Sequence, residues 1–403
     1  MLKFRWETEF KETEIEEIPR DWDVKRLGEV LIDIIKGKKP QQKPGNIPYL
    51  SAKFLRGESD PEEFYDKNAG IIVGENDIII LWDGSNSGEI FKAKKGILAS
   101  TMCKLTFNKD VDDKYIYFLL KFKEDEIKSA KSGTDDRHVD KEYFLDIPVS
   151  LPPLPEQSRI ATVLSWFDDL IENKRTQNEI LEKTAMAIFK SWFVDFEPFK
   201  DGEFVYNEEL EREIPKGWEV KKIGDLFNLI KGKKCYISKM PYEGYNPYLL
   251  IETFKAGQIE FWTNEKAPKV YEDDIVLVAD GESSGRILRY QKGILGSTLL
   301  TLKPKDKNSV ISKHLLYLTL KFYEDELMSH RTGSAIPHLD KEFLKDFLLL
   351  LPPSPILQSF HSLVEPLFQK IILNQKQIMS LRKIRDTLLP LLVFGKLRVE
   401  EIW

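Results

Sequence analysis

The stretch that decides the fold runs from His138 to Leu164 and reads HVDKEYFLDIPVSLPPLPEQSRIATVL. A short apolar segment ends at a double proline, Pro152–Pro153, and a run without glycine or proline begins at Glu156. Proline fixes its own φ, donates no backbone hydrogen bond and disfavours helix in the residue before it. The passage HLDKEFLKDFLLLLPPSP at 338–355 repeats the arrangement. We therefore predict a strand followed by a long helix at two places in the chain.

Further segments are repeated in the same order around this boundary, at offsets of 195 to 200 positions. The pairs are EIPRDWDVKRLGEV (17–30) with EIPKGWEVKKIGDL (213–226), KGKK (36–39) with KGKK (231–234), DGSNSG (83–88) with DGESSG (280–285), and KGILAST (95–101) with KGILGST (292–298). A repeat of half the chain is too long for a solenoid. It predicts two similar domains related by a pseudo-twofold, and duplex DNA is the commonest partner with that symmetry.

Composition sets broad limits on the class of protein. The 403 residues are 42% hydrophobic, enough for more than one packed domain, and the formal net charge is −6. This charge argues against a uniformly basic surface, although local lysine clusters can still neutralise phosphates. Cys103 and Cys235 lie in unrelated contexts, so we expect no disulfide, no metal site and a reducing compartment. The charged N-terminus and the short apolar runs predict a cytoplasmic protein without membrane contact.

Each double proline is followed by apolar residues at spacings that alternate between four and three, the pattern of a coiled coil. The first series is Ile160, Leu164, Phe167, Ile171, Leu181, Ala185, Ile188 and Trp192; the second is Val364, Leu367, Ile371, Ile378, Leu381, Leu388 and Leu392. A helix of about 37 residues is about 55 Å long. Pro366 fits a first helical turn, and Pro390 is expected to end or kink the second helix.

Both series are interrupted by polar residues near their midpoints, at Lys174, Asn178 and Asn374. If the helices pair antiparallel, these residues meet in one layer, and buried polar layers fix the register of coiled coils. The alternative is that they face solvent where the apolar stripe drifts. We predict the matched layer because the two interruptions coincide.

The segment SGTDDRHVDKEYFLDIPVSLPPLPEQSRIATVL (132–164) closely resembles the boundary motif of type I restriction–modification specificity subunits. The matching residues are Ser132, Gly133, Thr134, Pro152, Pro153, Glu156 and Gln157. The EIPxxWxVxxLG opening of each half and the alternation of globular and helical parts match as well. The second half departs from the pattern, because PPSPILQ replaces PPLPEQ.

The resemblance implies an α/β fold with two similar target-recognition domains joined by two long helices that form an antiparallel coiled coil. The expected parts are a first recognition domain (1–152), a first spacer helix that docks partners (153–200), a second recognition domain (201–352) and a second spacer helix (353–403). Each domain would read one half of a bipartite, asymmetric target in the major groove, and the helices would set the spacing.

The resemblance further implies a non-catalytic subunit that binds double-stranded DNA and docks two methyltransferase subunits, with restriction subunits as a further possible partner. S-adenosylmethionine, ATP and magnesium would be bound by those partners only, so no cofactor and no catalytic residue is expected in this chain. The competing interpretation is a scaffold in which two protein-binding domains sit on a coiled-coil spacer.

The basic KGKK turn is the first candidate contact with DNA. A glycine lets the backbone turn while several ammonium groups point the same way, which suits phosphate contacts. The candidates are Lys36, Lys38, Lys39 and Lys43 in the first half and Lys231, Lys233 and Lys234 in the second. The alternative is an ordinary solvated basic turn.

Base-reading residues should differ between two domains that read different half-sites, whereas positioning residues should be shared. The DG turn is shared, but Ser85-Asn86 is replaced by Glu282-Ser283, and Glu89 by Arg286. The candidate base-reading residues are Ser85, Asn86, Arg137, Ser283, Arg286 and Arg331. Each has a side chain that can hydrogen-bond to a base edge or lies next to a residue that has one. Neutral drift on exposed loops would produce the same differences.

Enzyme interpretations receive little support from the residues. His138 and His338 occur in equivalent HxDKE contexts, but no nucleophile or metal cluster accompanies them, so a hydrogen-bonding or capping role is favoured. Asn246-Pro247-Tyr248 lacks the second proline of an adenine-methyltransferase site and is interpreted as a strand start. The chain contains no GxxxxGK[ST] phosphate-binding sequence.

Overall fold

A computed structural model describes residues 2–6, 8–41, 43–57, 59–132, 138–306, 312–333 and 337–401. The chain forms two compact units. Unit 1 contains residues 1–170 and 381–403, and unit 2 contains residues 171–380. The prediction of two similar domains joined by two long helices is confirmed, and each unit includes part of both helices.

Unit 1 contains two four-stranded sheets. In order across each sheet, the strands are Ile90–Lys92, Ile78–Leu81, Met102–Phe107 and Leu31–Lys36, and then Phe64–Tyr65, Pro44–Leu50, Gly96–Leu98 and Ile72–Val73. The interior strand Ile78–Leu81 is buried on both faces: Ile78 and Ile80 pack into one hydrophobic cluster and Ile79 and Leu81 into another. Alternate residues of a strand point to opposite faces, which explains its uninterrupted apolar sequence.

Unit 2 has the same pair of sheets. The strands in order are Phe227–Lys231, Leu299–Pro304, Val276–Val278 and Ile287–Leu288, and then Trp262–Thr263, Asn246–Leu249, Gly293–Leu295 and Lys269–Val270. The predicted strand start at Asn246 is confirmed. In both units one parallel pair joins the middle strands of the second sheet, and all other pairs are antiparallel. The internal duplication therefore extends to strand order and direction.

Two-stranded ladders complete the units. In unit 1 they are Leu2–Arg5 with Arg398–Glu401, Phe10–Lys11 with Ile18–Pro19, Asp23–Arg26 with Pro148–Leu151, and Lys131–Ser132 with His138–Val139; in unit 2 they are Phe204–Asn207 with Arg212–Pro215, Glu219–Lys222 with Leu348–Leu351, and Arg331–Thr332 with His338–Leu339. The strands 148–151 and 348–351 end at the double prolines, as predicted.

Short helices flank the sheets at equivalent places. They are Leu27–Val30, Ala52–Leu55, Asp113–Phe122, Glu124–Ser129 and Lys141–Asp146 in unit 1, and Ile223–Leu226, Ile251–Ala256, Lys313–Phe322, Glu324–Ser329 and Lys341–Asp346 in unit 2. The carboxylates of Asp140 and Asp340 accept hydrogen bonds from backbone N–H groups of Tyr143 and Phe343, both at 3.0 Å. The aspartate of each HxDKE motif is thus an N-cap.

The two long helices span Leu154–Phe189 and Ser354–Val393. Short π and 3₁₀ turns, Lys190–Val194 and Glu197–Phe199, follow the first helix. Within unit 1, Arg385 Nη1 lies 2.7 Å from Asp168 Oδ1. Within unit 2, Asn374 Nδ2 donates to Asn178 Oδ1 at 2.8 Å. Residue numbers rise along one helix as they fall along the other, so the helices pair antiparallel.

The polar layer is buried at Asn178 and Asn374, which are 7% and 0% exposed, whereas Lys174 is half-buried. Asn374 Nδ2 also donates to Gln177 Oε1 at 3.3 Å. Among the described residues, Asn178 Nδ2 and Asn374 Oδ1 have no hydrogen-bond partner. The layer is therefore only partly satisfied, which lowers helix-pair stability; its role in register stays a prediction.

Placing Pro366 in a first helical turn was wrong, and so was an end of the second helix at Pro390; a kink at Pro390 stays a prediction. The second long helix begins at Ser354, so Pro366 lies in its interior rather than in a first turn, and the helix continues through Pro390. It ends at Val393 instead of extending towards 403, because Gly395 adopts a φ of +65° that favours glycine. The following strand, Arg398–Glu401, pairs with Leu2–Arg5.

Candidate nucleic-acid interface

Three motifs that are far apart in the sequence meet in unit 1. Lys36, from the end of a strand, places Nζ 2.8 Å from Asp83 Oδ2. His138 Nδ1 lies 3.4 Å from the other carboxylate oxygen of Asp83. We call these three residues the unit 1 Lys–Asp–His cluster. The cluster brings the KGKK turn, the DG turn and the first residue of the HxDKE motif into contact.

Unit 2 contains the equivalent cluster. Lys231 Nζ and His338 Nδ1 both lie 2.8 Å from the carboxylate of Asp280, one on each oxygen. Burial opposes ionisation of Asp280, but the hydrogen bonds from Lys231 and His338 outweigh it and lower the pKa of the carboxyl group. A cleft of about 370 Å³ opens beside this cluster and is also lined by Lys341.

Glycines allow the motifs to approach one another. A Cβ on Gly37 or Gly232 would lie 2.0 or 2.1 Å from the carbonyl oxygen of Ala99 or Gly296. The glycine of KGKK is therefore needed for close backbone contact. In the DG turns, Gly84 and Gly281 have φ angles of +107° and +104°, which residues other than glycine rarely adopt.

The predicted phosphate-binding lysines fall into two groups. Lys36 and Lys231 are ion-paired to the aspartates of the clusters, and Lys233 Nζ lies 4.0 Å from Glu265 Oε2. The others are exposed and form no ion pair with any residue that the structure describes; they are Lys38, Lys39, Lys43 and Lys234. These four have the ammonium groups most available to phosphate.

The predicted base-reading residues lie on or beside the DG turns, except one. Ser85 and Asn86 are exposed on the unit 1 turn, and Ser283 is half-buried on the unit 2 turn. Arg331 is exposed and its Nη1 donates to the carbonyl oxygen of Glu282 at 2.6 Å, so it is held against that turn. Arg137 lies outside the described residues.

The charge difference between Glu89 and Arg286 has a structural consequence. The Glu89 carboxylate accepts hydrogen bonds from Arg56 Nε at 3.0 Å to each oxygen, so it is engaged within unit 1. Arg286 is half-buried next to the unit 2 turn. The two equivalent positions therefore present different chemistry to anything bound beside the DG turns.

One side-chain cluster in unit 2 resembles a metal site. Ligand atoms of His314, His361 and Glu365 lie within 4.8 Å of one another. However, Arg289 Nη2 lies 2.9 Å from His314 Nδ1, and a guanidinium can only donate. His314 Nδ1 must then accept, so Nε2 carries the proton and donates to Glu365. This tautomer has no lone pair on Nε2 for a cation, and the arrangement favours a hydrogen-bonded network.

Comparison with known proteins decides the family. The family described as "Type I restriction modification DNA specificity domain" matches residues 19–183 and 215–383, one match for each repeat. The chain belongs to this family. As a type I restriction–modification specificity subunit, it carries the duplicated DNA-recognition domain, and the sequence resemblance is confirmed. Among the described residues, no helix is both long and apolar enough to span a membrane.

Relatives of the specificity subunit cover its whole length. The type I restriction enzyme MjaIX specificity subunit of Methanocaldococcus jannaschii is 39% identical, with 100% of this chain and 99% of the relative aligned. The MjaVIII specificity subunit of the same organism is 33% identical over 100% and 99% of the two chains. A crystal structure of a type I restriction–modification S subunit from M. genitalium shares the fold, with a TM-score of 0.54, 23% identity and coverage of 92% and 96%.

Proposed function

We propose that each recognition domain of this specificity subunit reads one half of a bipartite, asymmetric DNA target in the major groove. The proposed domains are 1–152 and 201–352. The helical segments at 153–200 and 353–403 would set the number of unread base pairs between the halves. The chain itself would be non-catalytic, with S-adenosylmethionine, ATP and magnesium bound by partner subunits.

The main support for this proposal is that both domains have the same Lys–Asp–His cluster, whereas the residues of the adjacent DG turns differ. Each domain holds the same Lys–Asp–His cluster beside a basic turn, which suits a common grip on the phosphate backbone. The adjacent turns differ, with Asn86 in one domain and Ser283 in the other. Shared positioning with divergent readout is what two unlike half-sites require.

The helices supply the proposed docking surface for two methyltransferase subunits. Trp166 and Leu170 are 52% and 49% exposed on the first helix within unit 1, and Ile180 is 59% exposed within unit 2. Large apolar side chains on the outside of a helix mark protein contacts when they cluster. Restriction subunits are a further proposed partner of the assembled complex.

The test is selection of bound duplexes from a random library by the chain assembled with its cognate methyltransferase subunit. The proposal predicts two short enriched blocks separated by a fixed, unread gap. Binding should also weaken steeply with added salt, because phosphate contacts release counterions. A folded complex that enriches no sequence would instead support the protein-binding scaffold.

A further inference from the structure

The two recognition domains differ most in the segment that follows the KGKK turn. Lys39 and Tyr49 are ten positions apart, whereas their equivalents Lys234 and Tyr248 are fourteen positions apart. Tyr49 and Tyr248 occupy the same place in the second sheet of each unit, so unit 2 has four additional residues in this loop. We call residues 235–245 the tyrosine loop.

The tyrosine loop presents large apolar side chains to solvent. Tyr236 is 91% exposed, Met240 and Tyr242 are both 59% exposed, and Ile237 is 45% exposed. The corresponding stretch of unit 1, PQQKPGN at 40–46, has no aromatic residue. Exposing several large apolar side chains costs the free energy that their burial would provide. A group of such side chains in one segment is typical of a binding surface.

The backbone of the tyrosine loop is held in place. Ser238 and Trp262 exchange two backbone hydrogen bonds, each of 2.8 Å, and the backbone N–H of Tyr236 donates to Glu265 Oε1 at 2.8 Å. The hydroxyl of Tyr248 donates to the carbonyl oxygen of Lys233 at 2.9 Å, which anchors the start of the loop. The exposed side chains are therefore projected from a fixed frame.

The charge around the loop indicates the kind of partner. Lys233, Lys234 and Lys239 lie within or beside it, and the loop itself contains one acidic residue, Glu243. Glu265, from outside the loop, is engaged by the Tyr236 backbone N–H. The loop also continues directly from the KGKK turn and hence from the unit 2 Lys–Asp–His cluster. Basic residues interleaved with exposed apolar ones suit duplex DNA, where ammonium groups neutralise phosphates and apolar groups contact base edges in the groove.

We propose that the tyrosine loop is a DNA-contacting element of the second recognition domain and that Tyr236 determines part of its half-site. The Tyr236 ring packs against base edges in the groove, as apolar groups do against a thymine methyl. The first domain has no equivalent contact, so the two half-sites are read by different means. This inference rests on the proposed DNA-recognition function.

The test compares Tyr236→Ala with Tyr206→Ala in duplex selection, using the complete chain assembled with its methyltransferase partner. Tyr206 is also exposed, at 65%, but belongs to the strand Phe204–Asn207. Y236A should lose sequence preference within one enriched block only and bind the original target about tenfold more weakly. Y206A should keep both blocks, and Tyr236→Phe should retain the preference, because the ring makes the contact.

The outcomes separate this inference from the function on which it rests. If the unaltered complex enriches no bipartite sequence, the proposed function fails. If it enriches two blocks and Y236A enriches the same two with equal affinity, only the inference about the loop fails. Loss of methyltransferase assembly in Y236A, with DNA preference retained, would overturn the inference in favour of a protein partner for the loop.

Discussion

Arg398 Nε lies 2.9 Å from Glu156 Oε1, and this contact joins the last strand of the chain to the start of the first long helix within unit 1. Glu156 is only 3% exposed and also accepts a hydrogen bond from Trp22 Nε1 at 3.1 Å. In unit 2 the equivalent of Glu156 is Ile356, and Trp218 packs edge-on against Phe196 and Phe199 instead. The start of the first long helix is thus fixed by an ion pair, which we call the Arg398–Glu156 clamp. At the equivalent place in unit 2, Trp218 packs in an aromatic cluster.

Removing the clamp should destabilise the chain strongly. Arg398→Ala leaves the buried Glu156 carboxylate without its cation, which typically costs about 3–5 kcal/mol. The matched control is Arg5→Ala on the paired strand: the ion pair of Arg5 with Glu400 is 42% and 39% exposed and should contribute less than about 1 kcal/mol. Urea unfolding followed by tryptophan fluorescence measures both. Equal losses in the two variants would contradict the buried clamp.

Replacing the polar layer of the helix pair should raise stability. Asn178 Nδ2 and Asn374 Oδ1 lack partners among the described residues, so N178L combined with N374L removes buried polar groups and adds apolar contacts. We expect the free energy of unfolding to rise by about 1–3 kcal/mol in the double variant. N374A alone should lower it by a similar amount, because Asn178 is then buried without its hydrogen-bond partner. Thermal unfolding of both variants checks this. A destabilised double variant would show that the layer contributes more than its hydrogen bonds suggest.

Stability should depend on pH through His314. Burial, with Arg289 nearby, lowers the pKa of His314 from 6.5 to about 4. Between pH 4 and 6.5 the unfolded chain binds more protons than the folded chain. The contribution of neutral His314 to the free energy of unfolding is therefore complete above pH 6.5 and is lost as the pH falls towards 4, by up to about 3 kcal/mol.

His314→Gln keeps a donor towards Glu365 and an acceptor towards Arg289 but does not titrate. Its free energy of unfolding should fall less than that of the original chain over this pH range. His361→Gln is the control for the neighbouring ring, which stacks on His314 with centroids 5.4 Å apart. Parallel pH profiles for H314Q and the original chain would refute the assignment.

The exposed lysines should set the salt dependence of DNA binding. Each phosphate contact contributes about 0.9 to the slope of log K against log salt concentration. Lys38→Ala with Lys39→Ala should therefore lower the slope by about 2. Lys36→Ala should lower it by less than 1, because the Lys36 ammonium is already paired with Asp83. Titrations of labelled duplex at several salt concentrations measure the slopes, and an unchanged slope in the double variant would exclude these contacts.

Local patterns in the sequence were sufficient for the strands that end at the double prolines and for the presence of two long helices, but not for the ends of the second helix. The double prolines predict the ends of the strands before them because proline geometry acts over a few residues. Repetition then showed that the same elements occur twice. The DG turn and the HxDKE motif were recognisable as shared features, although nothing in their spacing showed that Asp83 contacts His138.

Features that depend on distant residues escaped prediction. The strand Arg398–Glu401 pairs with Leu2–Arg5 at the opposite end of the chain, and no short pattern announces such a pairing. Glu156 matched the family motif but gave no sign of a buried clamp with Arg398. The tyrosine loop did leave a signal, because a change of offset from 195 to 199 marks the four additional residues.

The proposed function requires that the helix pair fixes the distance between the two half-sites. Inserting one heptad into each long helix at the boundary between the two units, after Leu170 and before Leu381, adds about 10 Å to the pair. In duplex selection with the methyltransferase partner, the account predicts the same two enriched blocks with the unread gap lengthened by about three base pairs, since base pairs are about 3.4 Å apart. Two unchanged blocks separated by an unchanged gap would contradict it.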